Sequence, residues 1–363
     1  MRRRDFLLTT GRNVAAGVVA TEVIHSGYVC AGATPRKIKV GQIGTAHAHA
    51  GGKMDSLRKL TGDYEVVGIV EPDAALREAA QRQAVYRDLR WMTEEELLNT
   101  PGLQAVAVET AVRDLVPTAA RCVAAGMHLH LDKPAGASLP AFKKVLDEAA
   151  RQKLTIQMGY MFRNNPAFQF CFRAVREGWL GEVFEVHAVM SKKDPDSQRR
   201  RLAEFSGGSM FELGCHVIDA TVAVMGRPER VTPFLRRTRP DLDTLADNTL
   251  AVLEYPKATC TVRSSLIEFE GGQRRQFVVC GDKGTIDIRP LEPPKLLLAL
   301  ETPRDPFRRG YQEVPLPEMP GRYDDQLAEL AKIIRGEMEH PYPPAHDLAV
   351  QETVLLASGM PVD

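Results

Sequence analysis

The fold is decided by the stretch IKVGQIGTAHAH, residues 38–49. Its first six residues predict a short buried strand, and residues 54–60 beyond it are predicted to lie in a helix. Gly44 stands where such a strand turns into a helix, at the point where backbone N–H groups of a dinucleotide-binding domain approach a pyrophosphate. Only the first of the three glycine positions of that fingerprint is glycine, because Ala46 and His49 hold the other two. Taken alone, this turn is a weak indication of a dinucleotide site.

Outward from the turn, short apolar strands alternate with helices of about ten residues. The strands are predicted at 64–70, 105–108, 127–131 and 154–158, and the helices between them at 74–83, 117–125 and 142–150. This alternation is typical of parallel βαβ units. It predicts an α/β protein whose N-terminal domain, residues 37–158, is a doubly wound parallel Rossmann sheet.

After Gly159 the pattern changes to strands in succession, which indicate an antiparallel sheet. These strands are predicted at 249–254, 258–267, 275–279 and 284–288, whereas the proline-rich residues 290–320 are predicted to form a loop. The second domain, residues 159–363, is therefore predicted to be α+β with an open, mostly antiparallel sheet. Its last helix, 347–358, is a candidate to pack back on the Rossmann domain.

Composition excludes several classes of protein. The chain has 363 residues, with 47 Lys+Arg against 47 Asp+Glu, and 44% of its residues are hydrophobic. This hydrophobic content is typical of a folded globular chain, and the balanced charge argues against a nucleic-acid groove. The arginines at 199–201 and 236–237 have no aromatic residues interleaved with them, which also argues against a nucleic-acid partner. No uncharged apolar stretch is long enough to span a membrane. Six scattered cysteines without a C-x-x-C pair indicate neither a disulfide scaffold nor a zinc knuckle.

The first 33 residues have the anatomy of an export signal. Three arginines at 2–4 precede a mildly apolar segment, and Ala31-Gly32-Ala33 has the character of a small-residue cleavage site. The Arg3-Arg4-Asp5-Phe6-Leu7 core is similar to a twin-arginine signal, which exports folded proteins. Residues 1–33 are therefore predicted to direct export to the periplasm; the alternative is an amphipathic N-terminal helix on a cytoplasmic protein.

A carboxylate follows the second predicted strand at Glu71, near the distance from the turn at which a dinucleotide-binding domain binds the adenosine ribose hydroxyls. A carboxylate there repels a 2′-phosphate, so it favours NAD over NADP as the cofactor. The alternative is a surface acid at a strand end. The candidate cofactor contacts are Gly41, Gly44, Thr45, Ala46, His47, Glu71 and Lys133.

Two histidine pairs permit a metal interpretation. His47 and His49 are one pair, and His128 and His130 are the other. No third ligand follows at a recognisable spacing, so we predict no metal site. His128 and His130 are expected to pack along their strand.

Three further residues carry candidate chemistry. Lys133 follows the strand 127–131, and strand carboxyl ends are where open α/β sheets bind ligands. In a helix, Glu212 and His216 would share one face, so the carboxylate would orient the imidazole as an acid/base for a hydroxyl proton. The alternatives are a solvated strand-end lysine, a helix-start acid and a buried histidine with satisfied hydrogen bonds.

The combination of these motifs resembles the glucose–fructose oxidoreductase / inositol dehydrogenase / MocA family. The resemblance spans residues 37–360 and rests on the Gly41–Gly44 turn, the VEPD at 70–73, the DKP at 132–134, the GYMFRNNP at 159–166 and, most specifically, the GGSMFELGCHVID at 207–219. It implies an NAD(P)-dependent oxidoreductase acting on sugars, cyclitols or their derivatives, with the second sheet as an oligomer interface.

By the same resemblance, Lys133 matches the lysine that contacts cofactor and substrate, and His216 matches the catalytic histidine. Glu212 stands where the family has an aspartate, and Tyr160 and Arg163 lie in the segment that lines the substrate pocket. The chain departs from the family at Ala46 and His49, in exchanging Glu and Asp at 132 and 212, and in its residues 109–115.

We therefore predict hydride transfer at a secondary carbinol of a sugar-type substrate, with His216 as acid/base, Glu212 orienting it and Lys133 polarising the reacting oxygen. Free NAD is scarce outside the cytoplasm, so an exported enzyme is expected to retain its cofactor and run a redox-neutral cycle. The alternative is a non-catalytic NAD- or sugar-binding sensor of the same fold.

Overall fold

The computed structural model describes residues 36–363, so the predicted export signal lies outside the described residues. The first sheet has six strands, all parallel, in the order β3-β2-β1-β4-β5-β6. They are β1 (Ile38–Ile43), β2 (Tyr64–Val70), β3 (Trp91–Met92), β4 (Leu103–Val108), β5 (His128–Leu131) and β6 (Ile156–Met158). This is the predicted doubly wound sheet, with one difference: β3 has only two residues, too few to leave a period in the sequence.

Five helices connect these strands: α1 (Ala50–Lys59), α2 (Ala74–Gln81), α3 (Glu94–Leu98), α4 (Val112–Ala124) and α5 (Leu139–Arg151). Side-chain caps set three of their starts. Asp73 accepts hydrogen bonds from two N–H groups of α2, Thr93 and Glu96 form a capping box on α3, and Ser138 caps α5.

The order of the strands places β1 next to β4 at the centre of the sheet, where the chain switches from one side to the other. β1 and β4 are almost entirely buried because helices cover both faces of the sheet. Ligands of such sheets bind in the crevice at the carboxyl ends of the strands at this switch point. The fold thus directs attention to the residues that follow β1, β4 and β5.

The second sheet has eight strands in the order β14-β13-β12-β11-β7-β10-β9-β8, and β7–β10 is its one parallel pair among the described residues. The strands are β7 (Val183–Ser191), β8 (Arg230–Arg236), β9 (Asn248–Glu254), β10 (Thr259–Ser265), β11 (Gln276–Gly281), β12 (Gly284–Leu291), β13 (Pro294–Leu300) and β14 (Gly310–Glu313). The open, mostly antiparallel sheet is confirmed.

The predicted loop over 290–320 is wrong in part, because it contains β13 and β14. The alternation that reveals β13 is plain in the structure: Leu296, Leu298 and Leu300 are buried, whereas the residues between them are more exposed. Prolines at the ends of the segment hid this two-residue period.

The remaining helices are α6 (Pro166–Arg176), α7 (Asp196–Leu202), α8 (Cys215–Met225), α9 (Asp324–Ile334) and α10 (Pro344–Ala357). α10 contacts both α8 and α5, and its Gln351 bonds the backbone of residues 135 and 136 in the first domain. Residues 36–363 form a single compact unit, and the predicted domain boundary at 158/159 lies inside it. In residues 36–363 no helix combines the length and the apolar character needed to cross a bilayer.

Candidate active site

The turn after β1 is shaped by close packing against the end of β4. Gly44 has φ +94°, and a Cβ at this position would lie 2.5 Å from the backbone nitrogen of Thr110. Only glycine fits such a conformation without strain. Thr45 then donates two hydrogen bonds of 2.7 Å, from its N–H and its hydroxyl, to Oε2 of Glu71. The end of β2 and the turn are thereby tied together.

A cavity of about 360 Å³ opens beside this turn, at the carboxyl ends of β1, β2 and β4. Its lining includes Gly44, Ala46, Glu71, Asp73 and Thr110. The N–H groups of Ala46 and Ala48 donate to no acceptor within residues 36–363. Free N–H groups next to a helix N-terminus bind phosphate, so the cavity and the turn fit the adenosine and pyrophosphate parts of a dinucleotide.

Lys133 follows β5, and its ammonium group is buried against Glu212. Its Nζ donates to the backbone oxygen of Glu212 at 2.8 Å and lies 3.4 Å from Oε1 of the same residue. Burial alone would lower the pKa of Lys133, but the carboxylates of Glu212 and Asp132 outweigh it and raise this pKa. Lys133 is therefore a cation across the ordinary pH range.

His216 lies on α8, near Lys133. Its side chain is buried, and Nδ1 has no hydrogen-bond partner in the described part of the chain. Burial and the nearby ammonium of Lys133 lower its pKa well below the ordinary value. The rings of Phe162, His49 and Tyr160 surround it at centroid distances of 5.8, 5.9 and 6.2 Å. A neutral imidazole thus stands beside a charged lysine.

Arg163 is buried in an ion-pair network away from solvent. Its Nη2 donates to Asp219 and to Asp347, both at 2.6 Å, and its Nε also bonds Asp219. The ring of Tyr342 lies over the guanidinium, 4.0 Å from its carbon. This network joins the segment after β6 to α8 and α10.

A cluster of polar side chains follows β1, β4 and β5. Nδ1 of His47 lies 3.0 Å from Oδ2 of Asp132, and Nδ1 of His49 lies 3.1 Å from both oxygens of that carboxylate. Both carboxyl oxygens of Glu109 are buried, and Oε2 lies 3.9 Å from Nδ1 of His47. We call these four residues the β-edge cluster.

The cluster has strongly shifted protonation equilibria. Burial lowers the pKa of His49 to about 4, although Asp132 opposes the shift. Burial would raise the pKa of Asp132, but the two imidazoles hold it well below its ordinary value. Burial and the Asp132 charge raise the pKa of Glu109 well above its ordinary value. Two buried carboxylates side by side thus divide into one charged and one protonated group.

Comparison with known proteins settles the family. The family model described as an oxidoreductase family with an NAD-binding Rossmann fold matches residues 38–160, and that of the GFO/IDH/MocA C-terminal domain matches residues 168–287. The chain belongs to the GFO/IDH/MocA oxidoreductase family. Together the two matches cover about two thirds of it, and they confirm the predicted family, Rossmann domain and enzyme class.

Individual relatives of this oxidoreductase are distant. The chain is 24% identical to trans-1,2-dihydrobenzene-1,2-diol dehydrogenase of Sus scrofa over 71% of its own length and 74% of that protein's. It is 25% identical to scyllo-inositol 2-dehydrogenase (NADP(+)) IolW of Bacillus subtilis over 50% and 51%. The crystal structure of an aldose-aldose oxidoreductase from Caulobacter crescentus superposes with a TM-score of 0.73 at 19% identity, covering 89% of this chain and 98% of that one.

Three predicted contacts of this family member need correction. Residues Met210–Gly214 form a π-helical turn, so Glu212 and His216 do not stack as i and i+4 of an α-helix would. Among residues 36–363, Glu212 bonds Lys133 and has no bond to His216, so it positions the lysine. Arg163 is buried and bonds Asp219 and Asp347, so contact with a substrate would have to come from its Nη1, which has no partner among residues 36–363. Gly41 lies inside β1, where a Cβ would lie 2.4 Å from Leu97, and does not line the cavity.

The structure also shows functional candidates that were not foreseen in this oxidoreductase. Asp132 is the third member of the His47–His49 group. Only the folded sheet, in which β1 and β5 flank β4, brings the residues that follow β1 and β5 together. Lys53 is fully buried on α1, with Nζ 2.6 Å from Nε2 of His130. Tyr160 remains beside His216, as a candidate substrate contact requires.

Proposed function

We propose that this protein is an NAD-dependent oxidoreductase that transfers hydride at a secondary carbinol of a sugar, a cyclitol or a derivative of one. The observation that carries the proposal is that two residues far apart in the sequence lie close together: Lys133, which follows β5, and His216, on α8. Both side chains are buried, Lys133 as a cation and His216 as a neutral imidazole whose pKa the lysine helps to lower. Such an acid and base with separated pKa values is what the oxidation of an alcohol requires.

Each residue has a role in that reaction. The neutral imidazole of His216 accepts the hydroxyl proton, while the ammonium of Lys133 stabilises the negative charge that develops on the carbinol oxygen. Glu212 keeps Lys133 protonated and fixes its Nζ. The bound dinucleotide, held by the turn at 44–48 and the cavity beside it, supplies the acceptor for the hydride. The carbinol carbon loses a hydride and its oxygen loses a proton, leaving a ketone.

The substrate class rests on the relatives and on the side chains of Lys133 and His216. The related proteins named above act, by their names, on an inositol, a dihydrodiol and aldoses. Each of these carries oxygen atoms on neighbouring carbons of a small skeleton, and a lysine and an imidazole that lie close together can both form hydrogen bonds to such a pair. A sugar or cyclitol is therefore the class to test first.

For the cofactor we propose NAD. Glu71 lines the cavity and its carboxylate would repel a 2′-phosphate. Because one relative is named for NADP(+), the assay should compare the two dinucleotides at equal concentration. We further propose export by a twin-arginine-type signal, with NAD retained and regenerated in a redox-neutral cycle.

We also propose a homo-oligomer formed through the second sheet. Large apolar side chains on its strands are exposed: Phe234 by 44%, Leu297 by 43% and Tyr311 by 62%. Burying such side chains against a second copy is favourable by about 25 cal/mol per Å² of apolar area. Sedimentation of the purified protein would test this interface.

The test of the activity is a panel of sugars and cyclitols assayed by nicotinamide absorbance, preceded by mass spectrometry of any nucleotide released on denaturation. Lys133→Met and His216→Ala should abolish turnover while NAD still binds. A sensor of the same fold would bind NAD or sugar and show no turnover in the unsubstituted protein. Release of no nucleotide from folded, exported protein would refute cofactor retention.

A further inference from the structure

The β-edge cluster brings the ligand atoms of two imidazoles close to the carboxylate of Asp132. Asp132 faces the Nδ1 atoms of His47 and His49 at 3.0 and 3.1 Å. The ligand atoms of these three residues all lie within 4.8 Å of one another. A carboxylate and an imidazole lone pair at this distance repel each other unless a proton or a metal ion lies between them.

The hydrogen bonds of His47 decide which nitrogen faces the cluster with its lone pair. Nε2 lies 3.0 Å from the backbone oxygen of Lys133, which can only accept, so Nε2 carries the hydrogen. Nδ1 accepts from the N–H of His49 at 3.3 Å. A histidine that binds a metal through one nitrogen characteristically donates from the other to a carbonyl or carboxylate. His47 has this arrangement at Nε2, and binding of an ion at Nδ1 would replace the hydrogen bond from the His49 N–H.

Glu109 provides the second, independent observation. Its side chain is fully buried, and neither oxygen has a hydrogen-bond partner in residues 36–363. The two nearest buried lysines do not fill the gap, because Lys53 bonds His130 and Gln326 and Lys133 bonds Glu212. Because no N–H group or lysine in residues 36–363 bonds this buried carboxyl, Glu109 is a candidate for the fourth ligand beside the other three.

The distances suit a small divalent ion. Four ligands bound to Zn²⁺ in a tetrahedron, at about 2.0–2.1 Å from the ion, lie about 3.3 Å from one another. The observed separations of 3.0 and 3.1 Å would widen by a few tenths of an ångström, whereas the 3.9 Å between Glu109 Oε2 and His47 Nδ1 would shorten by about 0.6 Å. Two imidazoles and carboxylates suit Zn²⁺ and similar first-row ions, whereas Mg²⁺ and Ca²⁺ prefer an all-oxygen set.

We propose that His47, His49 and Asp132, with Glu109 as the fourth ligand, bind one Zn²⁺-type divalent transition-metal ion at the carboxyl edge of the first sheet. The ion would fix the turn after β1 at the place where two fingerprint glycines are missing. The site lies beside His216, whose ring is 5.9 Å from that of His49. It was not foreseen from the sequence, where no third ligand has a recognisable spacing. The proposal does not depend on the proposed reaction, because it concerns binding of the metal alone.

The experiment uses the full chain, stripped with a chelator and titrated with Zn²⁺ in competition with a chromophoric chelator. One equivalent should bind, and neither Mg²⁺ nor Ca²⁺ should displace it. His49→Gln keeps a polar side chain of similar length next to Asp132 and should weaken Zn²⁺ binding at least about tenfold. The matched control is His187→Gln, a histidine of β7 that bonds Thr261 in the other sheet, and it should leave the affinity unchanged.

A second measurement keeps the test decisive if His49→Gln does not fold. Co²⁺ added to the stripped, unsubstituted protein should give the visible spectrum of a four-coordinate nitrogen/oxygen site. A thiolate charge-transfer band would overturn the proposal, because it would place the ion on a cysteine. Equal Zn²⁺ affinity in the His49→Gln and unsubstituted proteins, or less than a tenth of an equivalent bound, would overturn it as well.

Discussion

Replacing Arg163 by Met tests whether this residue serves the fold or a substrate. The substitution removes a guanidinium that is 1% exposed and bonds two buried carboxylates. Asp219 and Asp347 would then face each other without a cation, and loss of one partner from a buried ion pair costs about 3–5 kcal/mol. The contact with the Tyr342 ring adds to the loss. Because folded proteins are stable by about 5–15 kcal/mol, this substitution should remove a large part of the free energy of unfolding.

The assay is urea unfolding followed by circular dichroism, with Arg176→Met as the matched control. Arg176 lies on α6 near the same network but is exposed, so its replacement should change the free energy of unfolding by less than about 0.5 kcal/mol. In the folded fraction of Arg163→Met, KM for the substrate should be close to that of the unsubstituted protein. A stability within 1 kcal/mol of the unsubstituted protein (about the limit of such comparisons), combined with a large rise in KM, would show that Arg163 binds substrate.

Three further predictions concern the turn, the reaction and pH. Gly44→Ala should destabilise the protein by about 3 kcal/mol or more, because its Cβ meets backbone atoms at 2.5–2.7 Å, whereas Gly62→Ala has nothing within 4 Å and should be nearly neutral in the same urea assay. Lys133→Met should lower kcat by roughly 10²–10³-fold with little change in NAD affinity, measured by steady-state kinetics and nucleotide titration; unchanged kcat would exclude the lysine from the reaction. Burial lowers the pKa of His340 to about 4 from 6.5, so the folded state binds fewer protons than the unfolded state between these values. Stability should therefore fall as pH drops from 6.5 to 4, and His340→Gln should reduce that slope by up to about 1.4 kcal/mol per pH unit. An unchanged slope would show that His340 is not held neutral in the fold.

Much of the fold could be predicted from local patterns because each element carries its own period. The five longer strands of the first sheet are short, mostly apolar and largely buried segments, although polar residues such as Lys39 and Glu65 interrupt them. The two-residue β3 and the proline-bounded β13 could not be predicted in this way. Both segments form strands because neighbouring strands supply hydrogen bonds. Their own residues show too little alternation of polar and apolar side chains to predict a strand.

The site was predictable only where a residue's neighbours in sequence are also its neighbours in space. Lys133 was expected at a strand end and is found there, because the carboxyl edge of a parallel sheet follows from the strand order. The pairing of Glu212 with His216 was wrong, since a π-helical turn cannot be recognised from spacing. The ion-pair network of Arg163 was not foreseen because its partners, Asp219 and Asp347, come from elements far along the chain.

The charge of Lys133 beside the neutral imidazole of His216 also bears on how His216 could act as a base although its pKa is lowered. A proton added to His216 alone would place a second cation beside the lysine in a low-dielectric pocket, which is why its pKa is low. A dinucleotide bound beside them would lose one positive charge on accepting a hydride. If His216 took the carbinol proton in the same step, the total charge around it would not change. Under the proposed reaction, His216 is therefore expected to be a stronger base toward a bound carbinol than toward solvent, because only in the first case is its new charge offset.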